Sequence, residues 1–255
     1  MDRDPESHKG DNGKIAVIGG SRFIHGAPIF NALAAERSGV DTISLCVPRC
    51  HEETAKRWIL NAFVQPFAGD DLTARDVGEI LELIATLDCA VLGSGIAKTG
   101  ERVPALEDIV ASATCPMVLD ATALQRGTID LIMGKAVVLT PHLGELERMG
   151  YSLDDLPAVA EESGAVIIVK SFVDHIFGAD RQEDIEGGNP GLTVGGTGDA
   201  LAGLIGGLIA QRIDPFDAAV VASQTIKAAG DKLQAERGFG YTTRDVIEEI
   251  PQLLP

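Results

Sequence analysis

The chain has 255 residues, 45% hydrophobic and 23% charged, a balance that builds a substantial core and excludes extended disorder. Its formal net charge of -17, with 38 acidic against 21 basic residues, excludes general attraction to nucleic acid or anionic lipid and leaves an anionic small substrate open only where local backbone N–H groups and a cation or two receive it. No apolar run reaches the ~18 residues of a membrane span, and the polar start MDRDPESHKGDNGK lacks the apolar centre of a signal peptide, so a soluble cytoplasmic protein is expected, with no membrane partner.

A flexible tail is expected over 1–13 and one domain over 14–255, because no linker, repeat or low-complexity segment interrupts the remainder. Short, nearly continuous apolar runs at 15–18, 42–47, 89–92, 117–119, 136–139 and 165–169 read as strands of a parallel sheet covered on both faces. Between them, 28–38, 74–87, 104–112, 143–149 and 156–163 carry apolar residues at helical spacing, and beyond Asp199 the segments 200–211, 216–236 and 243–253 are all helical. Strand–helix alternation of this kind implies right-handed crossovers and a doubly wound sheet. The four cysteines are few and expected to stay reduced; Cys46, Cys50 and His51 lack the second ligand cluster a metal site requires, which favours ordinary strand-end thiols.

Ligands of open parallel sheets bind beyond the carboxyl ends of the strands, where this chain has unusual turns: VIGGSRFIHGAP, LGSGIAKTG, LDATAL, LTPHLGE and VKSFVDH. The glycines of GNPGLTVGGTGDALAG let backbone approach a ligand, and the following helix aims its first N–H groups at that ligand. Asp199 either caps that helix or serves as general base for an alcohol attacking phosphorus; with an ordinary carboxylate pKa of ~3.9 it is ionised at neutral pH. Ala27 before Pro28 also suits a helix start, and His142 follows Thr140-Pro141, where Thr140 would cap a helix and Glu145 would sit in its first turn. Lys170, after the apolar run AVIIV, is either a solvated charge or a phosphate contact.

The segment GNPGLTVGGTGDALAGLIGGLIAQ resembles the anion-hole segment of the ribokinase-like superfamily, and in particular of the NAD(P)H-hydrate dehydratase family. KIAVIGGSRFIHGAP, VLDATAL and LTPHLGE resemble that family's other motifs in the same order, so the likeness runs from residue 14 to about residue 212. The resemblance implies a three-layer α/β/α sandwich with a mainly parallel central sheet. It implies an ADP- or ATP-dependent lyase using Mg²⁺, which phosphorylates the hydroxyl of hydrated NADH or NADPH and then eliminates phosphate. Carried over, Asp199 is the base, and Gly196, Thr197 and Gly198 form the anion hole. Ala27, Gly95, His142 and Asp120 face the hydrated cofactor; Lys170, Ser171, Phe172, Val173, Asp174 and His175, with Gly198, hold the adenine nucleotide. Glu145, read from its own chemistry, either favours the helix dipole or holds Mg²⁺ through water. A homo-oligomer such as a tetramer is also implied.

The departures are Thr122 and Leu143 where the family has aspartate and proline, and Ala97 and Ser171 where it has glycine. They fall mainly on the substrate side. Two competitors follow: a kinase of the same superfamily acting on a sugar, a hydroxyethylthiazole or a hydroxymethylpyrimidine, and a nucleotide-binding regulator without catalysis.

Overall fold

The computed structural model describes residues 3–98 and 100–255. Nine strands form one sheet: β1 Lys14–Ile18, β2 Thr42–Val47, β3 Ala62–Pro66, β4 Cys89–Leu92, β5 Met117–Leu119, β6 Val137–Leu139, β7 Val166–Val169, β8 Asp174–Phe177 and β9 Gln182–Ile185. Their order is β3-β2-β1-β4-β5-β6-β7-β8-β9. Pairing is parallel from β3 through β7, and the last two pairs are antiparallel. The strand order reverses between β1 and β4, which opens a crevice at their carboxyl ends.

Alternate residues of each strand feed two separate cores. Ile15, Val17 and Val91 pack with α1 (Gly26–Arg37), α8 (Thr197–Ala210), α9 (Pro215–Arg237) and α10 (Thr243–Leu253) on one face. Ala16, Ile18, Ala90 and Leu92 pack with α3 (Ala74–Ile84), α4 (Arg102–Ser112), α5 (Thr128–Ile132), α6 (Leu143–Met149) and α7 (Leu156–Ser163) on the other. The result is the expected three-layer α/β/α sandwich. Period-two burial on both sides explains why the central strands read as unbroken apolar runs. α8 is buried along nearly its whole length and meets α1 backbone to backbone: a Cβ on Gly203 would lie 2.1 Å from the Asn31 carbonyl oxygen, so only glycine permits the crossing.

Five elements lie outside the expected pattern. β3 is half-exposed and ends in Pro66, as an edge strand can; β8 and β9 are a polar hairpin on the opposite edge, with Gln182, Glu183 and Asp184 exposed. α2 (Glu52–Trp58) buries only Ala55, and α5 is five residues long, so neither shows a helical stripe. α3 stops at Ile84 rather than 87, α1 starts at Gly26, and α8 starts at Thr197, three residues before the expected 200. Of the tail expected at 1–13, Met1 and Asp2 lie outside the described residues, while the amides of Gly10 and Asn12 donate to Asp41 at 2.8 and 3.0 Å. No helix among the described residues is long and apolar enough to cross a membrane.

Candidate active site

Three neighbouring strands end on three polar residues. Asp120 follows β5, Thr140 follows β6 and Lys170 follows β7, and the parallel register brings them side by side. Asp120 Oδ1 accepts both the Thr140 hydroxyl and the Lys170 ammonium at 2.7 Å. Asp120 Oδ2 lies 3.4 Å from the Ser94 hydroxyl, in the turn after β4. Thr140 therefore ties Asp120 down and does not cap α6, as its place before Pro141 suggested. Lys170 is not solvated; its side chain is 19% exposed and 3.9 Å from Glu145 Oε2.

The cap of α6 is His142. Its Nδ1 accepts the Glu145 amide at 3.2 Å, while Glu145 Oε2 accepts the His142 amide at 3.1 Å, a reciprocal capping box. Glu145 is buried, flanked by Lys170 and by Arg148 at 3.8 Å, whereas the His142 ring remains largely exposed.

Asp199 enters this group from the other side of the sheet ends, in the first turn of α8. Gly196, with φ of 101°, turns the chain into the helix, and a Cβ there would lie 2.5 Å from the Phe30 ring. A helix leaves its first four N–H groups without partners inside the helix. Here Thr197 N–H reaches Val194 O at 3.4 Å and Ala200 N–H reaches Gly196 O at 2.9 Å, so the amides of Gly198 and Asp199 are placed for an anion. Gly198 abuts the lysine; a Cβ on it would lie 3.3 Å from Lys170 Nζ.

Burial pushes the Asp199 carboxyl up to about 7, and the charges of Asp120 and Glu145 add to this, while the Ser94 hydroxyl and Lys170 ammonium oppose it. Asp199 is thus no ordinary carboxylate ionised well below neutral pH, as its sequence context alone suggested. Burial favours neutral Lys170, but Asp120, Glu145 and Asp199 outweigh it and raise its pKa. The Lys170 ammonium and the Arg148 guanidinium stand against three carboxylates, which leaves the cluster short of positive charge.

On the crevice side, Ala27 occupies the first turn of α1 and Gly95 faces it: a Cβ on Gly95 would lie 2.9 Å from Ile24 and 3.1 Å from the Ala27 methyl. Thr122, where the resembling motif has aspartate, is buried and donates to Ile96 O at 2.6 Å, fastening the loop that carries Gly95. Asp120, expected to face substrate, has its oxygens engaged by Thr140, Lys170 and Ser94 and is the hub of the network.

The expected nucleotide stretch divides by role. Lys170 faces the anion hole, and Phe172 is 81% exposed. Asp174 is buried and holds its own turn by accepting from Ser171 N at 2.9 Å and Ser223 Oγ at 2.7 Å; the Ser171 hydroxyl donates to Val173 O. His175 pairs with Asp184 across β8 and β9 at 2.7 Å. Asp174 thus holds the stretch in shape and also lines the cavity beside the anion hole, while His175 pairs along the hairpin. A cavity of about 150 Å³ opens beside the anion hole, lined by Lys170, Ser171, Thr197, Gly198, Ile226 and Lys227 among others. A wider groove of about 550 Å³, bordered by Asp88, Cys115 and Arg212, lies at the opposite ends of the strands and shares no residue with the network.

Sequence reasoning missed Asn31, Ser94, Thr243 and Lys227, which touch the site from α1, the β4 turn, α10 and α9. Only Lys227 carries a visible signal, as the single charge in the stretch AAVVASQTIKAAG. Cys46 is buried in the core, its thiol pushed up to about 12 by burial and by Asp76, while Cys50 is exposed.

The model of the NAD(P)H-hydrate dehydratase family matches residues 15–252. The chain is 35% identical over 262 residues to the ADP-dependent (S)-NAD(P)H-hydrate dehydratase of Cenarchaeum symbiosum, covering 98% of this chain and 91% of that one. It is 37% identical over 256 residues to the bifunctional NAD(P)H-hydrate repair enzyme Nnr of Methanocaldococcus jannaschii, covering 99% of this chain but only 50% of that relative. Among solved structures, the ADP/ATP-dependent NAD(P)H-hydrate dehydratase of Bacillus subtilis, co-crystallised with ATP and Mg²⁺, superimposes with a TM-score of 0.86 at 25% identity over 99% of this chain and 92% of that one. Hydroxyethylthiazole kinase of Pyrococcus horikoshii reaches a TM-score of 0.60 at 17% identity over 96% and 89% of the two chains, a likeness of fold alone.

Proposed function

The chain belongs to the NAD(P)H-hydrate dehydratase family, and we propose on that premise that it repairs hydrated NADH or NADPH at the expense of ADP or ATP. The observation that carries this reading is Asp199, pushed up to about 7 and set beside the first-turn amides of α8. A general base works best when its pKa lies near the operating pH. The substrate hydroxyl attacks the terminal phosphorus of the nucleotide, Asp199 takes the hydroxyl proton, and the bond from that phosphorus to the bridging oxygen breaks. The Gly198 and Asp199 amides and the Lys170 ammonium receive the charge on the phosphoryl oxygens. Loss of phosphate, with a proton from the neighbouring ring carbon, then restores the dihydronicotinamide. Ala27, Gly95 and the exposed His142 ring provide the substrate side.

The carboxylates fit a Mg²⁺ that arrives on the nucleotide and keeps its waters. Glu145 already caps His142 and faces Lys170, and among the described residues no group of three or more His, Cys, Asp or Glu converges as direct ligands. Glu145 would hold the cation through water, and the cation would supply charge neutralisation to the phosphates. Incubation of the protein with hydrated NADH, Mg²⁺ and ADP or ATP is expected to return dihydronicotinamide absorbance with release of phosphate. No return with either nucleotide sinks the reading.

A further inference from the structure

Lys227 lies midway along α9 and is buried. A buried ammonium is costly unless each of its three donors is used. Lys227 Nζ donates to Phe172 O at 2.9 Å, Gly187 O at 3.3 Å and Ser171 O at 3.4 Å, with Asp174 Oδ1 3.6 Å away as counter-charge. One turn further along α9, Asp231 accepts the Gly188 amide at 2.9 Å and the Asn189 side-chain amide at 3.2 Å. Two backbone segments at the two ends of the β8–β9 hairpin, the turn after β7 and the approach to the anion hole, are thereby fastened to one helix.

Each segment sends one residue to the wall of the 150 Å³ cavity beside Thr197 and Gly198: Ser171 from the first, and from the second Leu192, whose amide donates to Asn189 O at 3.0 Å. With its ammonium engaged on three carbonyls, Lys227 acts through the backbone it holds. We propose that Lys227 is a positioning residue that sets the width of the nucleotide pocket by holding its two walls together. The inference rests on the reading that nucleotide occupies this cavity. It assigns Lys227 to nucleotide affinity and leaves the hydrate-binding side, built from Ala27, Gly95 and His142, outside its reach.

The test is ADP affinity by titration calorimetry, with Mg²⁺, for the wild type, Lys227→Met and Lys227→Arg, beside the KM for hydrated NADH. Lys227→Met is expected to weaken ADP binding about tenfold, equivalent to ~1.4 kcal/mol, with the hydrate KM unchanged. Lys227→Arg keeps a charge beside Asp174 but offers a planar fork to carbonyls placed for a compact ammonium, so it also weakens ADP and serves where the methionine variant does not fold. Lys232→Met, on the same helix and outside the cavity, is the control and leaves affinity unchanged. Wild type that binds neither ADP nor ATP overturns the nucleotide reading itself. Wild type that binds ADP, with folded variants of unchanged affinity or with a loss shared equally by the hydrate, overturns the role of Lys227 alone.

Discussion

Asn31 on α1 donates its side-chain amide to the backbone carbonyl of Asp199 at 2.7 Å. The contact joins the helix whose first turn carries Ala27 to the residue proposed as the base, so the proposed substrate side and that carboxylate share one link. Asn31 is fully buried, and its Oδ1 has no protein partner among the described residues, a costly arrangement for a position without a task. Asn31→Leu removes the satisfied donor and the unsatisfied acceptor together and keeps the branching at Cγ. We expect thermal stability to be unchanged or raised while kcat falls about tenfold or more, since small displacements of a reacting group are expensive in rate. A lowered Tm with unchanged kcat would show that the link serves folding only.

The raised pKa of Asp199 predicts the pH profile. Below about 7 the carboxyl is protonated and has no site for the substrate proton; above it the base is free. At saturating nucleotide, kcat/KM for the hydrate is expected to climb through pH ~7 and level off above it. The charge of Asp120 is, after burial, the largest contribution raising that pKa, so Asp120→Asn moves the inflection to lower pH. An inflection that stays in place in this variant contradicts the electrostatic account.

Much of this architecture is legible in the sequence where one local physical requirement dominates. β1, β4 and β7 announce themselves because both faces are covered, and the GGTGD turn because a left-handed Gly196 pressed against Phe30 tolerates no side chain. β8 and β9 stay hidden because DHIF and QEDI carry charged and polar residues where a strand covered on both faces would be apolar. The Asp120–Thr140–Lys170 network is illegible for another reason. Each member is merely the residue after a strand, and only the β5–β6–β7 order makes them neighbours. The pKa of Asp199 depends on that neighbourhood, so no reading of its own helix gives it.

Asp199 also carries a stability signature. Its folded-state pKa of about 7 exceeds the ordinary 3.8, so the folded chain holds a proton that the unfolded chain has released between those values. Stability from this group is full below pH ~4 and lost as pH rises towards ~7. Asp199→Asn removes the titration. The variant is expected to lose roughly 10²–10⁴-fold in kcat. Its melting temperature is expected to gain at pH 8 but scarcely at pH 4, by ~2–4 °C for each kcal/mol relieved. Equal Tm differences at the two pH values would separate Asp199 from the burial that is said to perturb it.

Thr243, the first residue of α10, supports the anion hole from behind. It is almost fully buried, its hydroxyl donates to Gly195 O at 2.9 Å, and it lies 3.4 Å from the Thr197 hydroxyl. Preorganised amides stabilise a transferring phosphoryl group only while the loop holds its shape, and Gly195 and Gly196 have no side chains with which to hold it. Thr243→Val keeps the volume and removes the donor, releasing the Gly195 carbonyl from the contact that fixes the loop, and is expected to lower kcat about tenfold. Thr243→Ser keeps the donor and loses one methyl, so its kcat should remain within about twofold of wild type. Steady-state kinetics on the pair decide the matter. A loss shared by valine and serine assigns the effect to the missing shape of threonine, and full activity in the valine variant means that the glycine loop keeps its form unaided.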